Sequence, residues 1–142
     1  FSWAAETGAH ALRLVFAGVF ERYPNARLIL GHMGETLPFY LWRFDSRWQV
    51  CNRGDRTLPK PPSFYIRRNI VITTSGVCDD VALRAALEAV GDGNVMFSVD
   101  YPFEKTDLAA QFIERAAISE TQRAQVASGN AKRILRLDRA RA

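Results

Sequence analysis

Histidine is scarce in this chain, and one of its two copies stands where a short apolar run stops: LILGHMGE, residues 28–35, carries His32 directly after a glycine. A second run, NVMFSVDYP at 94–102, ends in the same manner on Asp100. A neutral imidazole and an ionised carboxylate can each ligate a divalent metal, and the same groups can move protons near neutral pH. Each alone has a simpler explanation, a hydrogen-bonded structural histidine and a turn-forming aspartate. Their matching positions at the ends of two β-type runs are what point to a site.

Alternating helix and strand signals surround these residues. Leu12, Val15, Phe16, Val19 and Phe20 recur at three- and four-residue spacing before Pro24, which predicts a first helix burying one stripe. RLILGH reads as a strand. LPFYLWRFDSRW, with Phe39, Tyr40, Trp42 and Phe44, predicts a second helix opening near Pro38. Residues 51–64, with three prolines and a glycine, predict a long irregular connection of the kind that carries function. NIVITTSG is a second strand. CDDVALRAALEAVGDG follows as a helix with aspartates in its first turn, Leu83, Ala86, Leu87 and Val90 on one face, and Gly91 at its close. After the third strand, Leu108 and Phe112 mark another helix, and SETQ at 119–122 is a capping-box pattern for the last ones.

Strands alternating with helices predict an α/β architecture with a parallel sheet, and near-continuous apolar runs suit strands buried on both faces. The polar punctuation then collects at the carboxyl ends: Gly31 and His32, then Thr74, Ser75 and Gly76, then Asp100. Those ends share one rim in parallel architectures, so His32 and Asp100 are expected to be neighbours.

Composition narrows the function classes. With 142 residues and 48% hydrophobic content, the chain has enough material for a globular core, and it has no apolar run of membrane-spanning length. Cys51 and Cys78 form no metal-spaced pair, which favours reduced thiols and a cytoplasmic location. The net charge of +4 is spread along the chain without an aromatic-plus-basic module, so no nucleic-acid partner is expected. His10, on the first helix, is expected to be structural.

The three strand-end motifs, LILGHMGETLPFYLWRFDSRW, NIVITTSG and NVMFSVDYPFE, together resemble the amidohydrolase-related decarboxylases of the aminocarboxymuconate semialdehyde decarboxylase group. The run from HMGE through LP to WR is most similar to the dihydroxybenzoate and γ-resorcylate type. The resemblance implies a metal-dependent (β/α)₈ barrel of the TIM type. Of this barrel the present chain would supply a C-terminal portion, three parallel strands with covering helices in one domain unit over residues 1–142. It implies that Asp100 is a metal ligand and a catalytic group, and that His32 is a catalytic acid-base or orienting group. By the same resemblance Arg43 faces the substrate carboxylate, Glu35 orients His32, and Phe103 walls the pocket. Tyr101 stands where some more distant relatives have tryptophan.

The implied activity is non-oxidative decarboxylation of a hydroxylated aromatic acid, with zinc or manganese as the metal, no organic cofactor, a small aromatic carboxylate as the partner, and a homo-oligomeric assembly. A metal-dependent hydrolase on the same scaffold is the alternative enzyme, and a non-catalytic fragment acting through association is the alternative outside catalysis. The family's Glu/His-x-His pair of the first strand and its histidine of the fifth strand are absent from this sequence. The isolated chain is therefore expected to be inactive.

Overall fold

The computed structural model describes residues 2–51 and 58–137. Three short parallel strands form its centre: β1 (Leu28–Leu30), β2 (Ile70–Thr73) and β3 (Val95–Met96), in the order β1-β2-β3. Leu30 pairs with Ile72, and Thr73 with Met96. Helices connect the strands in the βα order, which makes this an α/β chain with a parallel sheet, as the partial barrel implied by the resemblance requires.

Helix α1 (Ser2–Phe16) buries Gly8, Ala11 and Val15, and Gly18, in a left-handed conformation, separates it from the short α2 (Val19–Arg22), which buries Phe20. Phe16, expected in the buried stripe, is largely exposed. Its position falls outside the Gly8–Ala11–Val15 face that meets the core. Helix α3 (Leu37–Cys51) forms where LPFYLWRFDSRW predicts it, but Phe39, Tyr40 and Trp42 point outward while Leu37 and Leu41 are buried. The core stripe of α3 runs on through the partly buried Phe44 and Trp48 at helical spacing.

The long connection expected over 51–64 is shorter than read from the sequence. Residues 52–57 lie outside the described residues, Leu58 is buried, and α4 (Pro62–Asn69) occupies the stretch assigned to the loop and the approach to the second strand. Pro62 sits in the first turn of α4, where its missing N–H costs nothing, so the same prolines that signal a loop also open a helix. Asp45 of α3 secures that start by accepting from the Ser63 backbone N–H at 2.9 Å and from its hydroxyl at 2.6 Å.

Strand β2 is buried at all four positions, as befits the central strand, whereas Ile29 of the edge strand β1 is about half exposed. Helix α5 (Asp80–Val90) is capped by Asp79, which accepts from the Ala82 N–H, and it buries Leu83, Ala86, Leu87 and Val90 as its pattern predicts. Helix α6 (Thr106–Arg115) buries Ala109 and Ile113. The Ser119–Gln122 capping box opens α7 (Glu120–Ala124), and a wider π turn at Gln125–Gly129 leads into α8 (Asn130–Leu135). Asn130 is buried and donates to the carbonyls of Asp92 and Val95, tying α8 to the start of β3. No described helix is long and apolar enough to cross a membrane.

Candidate active site

The turn after β1 is built from strained backbone. His32, Met33, Glu35 and Thr36 all have positive φ, between 49° and 70°. Left-handed backbone costs an L residue about 1–2 kcal/mol. Burial of Met33 and Glu35 and the bonds from Gly34 N–H to the Gly31 carbonyl and from Glu35 N–H to the His32 carbonyl hold the turn in place. Asp100 is also left-handed, at φ 82°, and its carbonyl accepts from the N–H groups of Phe103 and Glu104, which turns the chain sharply after the strand. Strain concentrated at two strand ends of one rim is typical of functional positions.

These turns bring the expected pair together. The Nδ1 of His32 lies 2.6 Å from Oε1 of Glu35, and its Nε2 lies 3.4 Å from Oδ2 of Asp100. Glu35 is only 4% exposed, while the side chains of His32 and Asp100 are 39% and 30% exposed and face the opening. Partial burial pulls the His32 imidazole down, but hydrogen bonding to Glu35 and its charge, followed by those of Asp100, outweigh this and hold it above its ordinary value of 6.5. Glu35 therefore orients the ring from the buried side, and Nε2 is left to face Asp100.

A cavity of about 440 Å³ opens over the pair, lined by Trp3, Ala4, His32, Glu35, Asp100 and Phe103. That volume suits a small ligand, and the lining sets two aromatic side chains beside three ionisable ones. Phe103 is among the lining residues; Arg43 is exposed on α3 and is not among them. His10 is exposed on α1 instead of packed as a structural histidine.

Gly76 makes the closeness of the pair sterically possible. Its φ is +65°, and a Cβ at that position would meet His32 Cδ2 at 3.1 Å and Asp100 Oδ2 at 3.2 Å. On the other side Gly8 lets α1 approach the Glu35 backbone, where a Cβ would come within 2.9 Å of the Glu35 carbonyl oxygen. That approach carries Trp3 and Ala4 to the cavity. Nothing in the local pattern around Trp3 signals this role, because it arises only from helix packing.

The donors present fit part of a divalent-metal site. Asp100 lines the cavity, and the missing Cβ of Gly76 leaves room beside its Oδ2, but among the described residues no group of three or more histidine, cysteine, aspartate or glutamate side chains converges on one point. Among the described residues the Asp100 carboxylate, with His32 beside it, is what this rim could offer a metal, fewer donors than a full tetrahedral or octahedral set needs.

Residues 1–137 match the amidohydrolase family model. The chain is 41% identical over 145 residues to a gamma-resorcylate decarboxylase from a Polaromonas species, covering 97% of this chain and 43% of that protein. Among solved structures, a 5-carboxyvanillate decarboxylase from Sphingomonas paucimobilis superposes with a TM-score of 0.88 at 44% identity, covering 96% of this chain and 41% of that one. A dihydroxybenzoic acid decarboxylase from Polaromonas, solved with bound manganese and the inhibitor 2-nitroresorcinol, superposes with a TM-score of 0.91 at 37% identity, covering 97% and 42%. The chain thus spans about two fifths of the length of the relatives it matches. With the family model matched over nearly its whole length, this chain belongs to the amidohydrolase family.

Proposed function

We propose that the protein carrying this chain is a metal-dependent, non-oxidative decarboxylase, a carboxy-lyase acting on a hydroxylated aromatic carboxylic acid. Residues 1–142 are then the C-terminal portion of its single barrel domain. The observation that carries this reading is the Glu35–His32–Asp100 arrangement beneath a cavity walled by Trp3 and Phe103. The decarboxylase names of relatives at 37–44% identity agree with it.

The roles follow from the geometry. Trp3 and Phe103 are the aromatic side chains that line the cavity, and a flat ring would pack against them. Asp100 is the residue of this chain that would hold the metal, and a bound divalent ion supplies positive charge for the substrate's carboxylate and adjacent hydroxyl oxygen. Glu35 fixes the His32 ring through Nδ1 and leaves Nε2 3.4 Å from Asp100, so in its protonated form the imidazole can pass a proton by way of this pair to the ring carbon that bears the carboxylate. The carbon–carbon bond then breaks, carbon dioxide leaves, and its bonding electron pair restores the aromatic ring. The ring itself accommodates the electrons, so the reaction needs no organic cofactor. Manganese is favoured over zinc, since neighbouring decarboxylase structures were solved with it.

The assembly belongs to the same reading. Phe39, Trp42 and Arg43 lie at helical spacing on α3, and Phe39 and Trp42 are largely exposed, so this outer face is proposed as the contact between copies in a homo-oligomer. Arg43 would then be held in that interface. The free, exposed Cys51 and Cys78 favour a cytoplasmic location.

The complete protein, incubated with manganese and a panel of hydroxylated benzoates, tests the activity. Release of carbon dioxide that stops on chelation and returns on adding manganese is the expected result. No release from any member of the panel by folded, metal-loaded protein would overturn it.

A further inference from the structure

We infer that Ser75 is a positioning residue for Asp100, acting with Thr74 to fix which carboxylate oxygen faces His32 and the cavity. Its catalytic consequence rests on the decarboxylase reading above. Ser75 follows the central strand and is 8% exposed, and its hydroxyl donates to Oδ1 of Asp100 at 3.3 Å. A carboxylate held by one oxygen cannot rotate freely, so Oδ2 is the atom left at 3.4 Å from Nε2 of His32.

Thr74 secures the same segment from the backbone side. The register of β2 and β3 ends at Thr73 and Met96, leaving residues 97–100 beyond the ladder. Backbone bonds continue there, from the Thr74 N–H to the Met96 carbonyl at 3.0 Å and from the Gly76 N–H to the Val99 carbonyl at 3.4 Å, and Thr74 adds side-chain bonds: its Oγ1 donates to the Ser98 carbonyl at 2.8 Å and accepts from the Ser98 N–H at 3.0 Å. Two residues later the chain reaches Asp100 in its left-handed conformation. Thr74 thus sets the place of the Asp100 backbone and Ser75 the rotation of its carboxylate.

The test uses the complete protein with manganese. Manganese affinity is read without substrate by the electron paramagnetic resonance of the free ion, and kcat and KM are read on a hydroxylated benzoate. Loss of a group that orients a metal ligand typically costs about 10- to 100-fold in affinity or activity. Ser75→Ala is therefore expected to weaken manganese binding and to lower kcat by amounts in that range, with KM little changed, and Ser75→Thr, which keeps the hydroxyl, is expected to recover most of both. Should the alanine variant not fold, Ser75→Cys keeps the volume with a poor donor and is expected to show the same losses. A folded Ser75→Ala or Ser75→Cys protein with parental manganese affinity and parental kcat would overturn the role. If the parent binds manganese but releases no carbon dioxide, the decarboxylase reading falls, and the affinity series alone decides the role of Ser75.

Discussion

Nε2 of His32 and Oδ2 of Asp100 stand 3.4 Å apart although 68 residues of chain separate them. The contact exists because β1 and β3 flank β2 in parallel, so the turns leaving both outer strands emerge on the same rim. Gly76, in the turn that follows the strand between them, leaves the gap open. Topology and one absent side chain together create the pair.

Gly76→Ala tests that second condition. The new methyl group would press on His32 Cδ2 and Asp100 Oδ2 and would force an L residue to φ +65°. The backbone alone is expected to cost about 1–2 kcal/mol. The expected outcome is a modest fall in the denaturation midpoint together with loss of most manganese binding and turnover by the complete protein. A variant with parental turnover would show that the pair does not need this gap.

His32 carries a pH signature. Its imidazole is held above the ordinary value by Glu35 and Asp100, so the folded chain binds this proton more tightly than the unfolded chain. The resulting stabilisation is fully present below about pH 6.5 and is lost as pH rises through the elevated folded value. Denaturant unfolding of the metal-free chain across this range, compared with His32→Gln, is expected to show a stability difference that shrinks toward alkaline pH. A difference that grows with pH would mean that burial dominates over the two carboxylates.

Much of this arrangement is legible in the residues. The α5 stripe, its Asp79 cap and Gly91 close are local signals, and helix periodicity with capping chemistry resolves them without tertiary information. The meeting of His32 and Asp100 follows from a general rule about parallel strand ends. Helix α4 is not legible in the same way, since Pro61 and Pro62 carry the chemistry of a loop and of a helix start at once. The outward turn of Phe39 and Trp42 also escapes, because Leu37, Leu41, Phe44 and Trp48 form an equally periodic stripe and only packing chooses between the two. Trp3 at the cavity and the exposure of Arg43 are products of helix packing alone.

The α3 surface predicts an assembly. Trp42 is 78% exposed and lies one turn from Phe39, so Trp42→Glu is expected to leave the monomer's core intact while breaking contacts between copies of the complete protein. Analytical ultracentrifugation should show a shift from a discrete oligomer toward monomer with an unchanged melting profile at low concentration. An unaltered oligomer would place the interface elsewhere.

The 142-residue chain on its own is expected to bind manganese or zinc weakly and without defined stoichiometry, because its described residues bring no three metal-ligating side chains to one point. The edge strand β1, with Ile29 about half exposed, should also favour self-association. Isothermal titration of the chain is the check. Tight one-to-one binding would require a ligand set that the Asp100 rim does not provide.

The role of Asp100 is where the account is most directly exposed to test. The measurement is the turnover of the manganese-loaded complete protein carrying Asp100→Asn, which keeps the shape of the side chain but removes its charge and its ability to carry the proton. A fall of about 10²-fold or more in kcat, with folding retained, is expected when a positioned acid-base group is lost. Turnover close to that of the parent would contradict the assignment of this rim as the decarboxylating site.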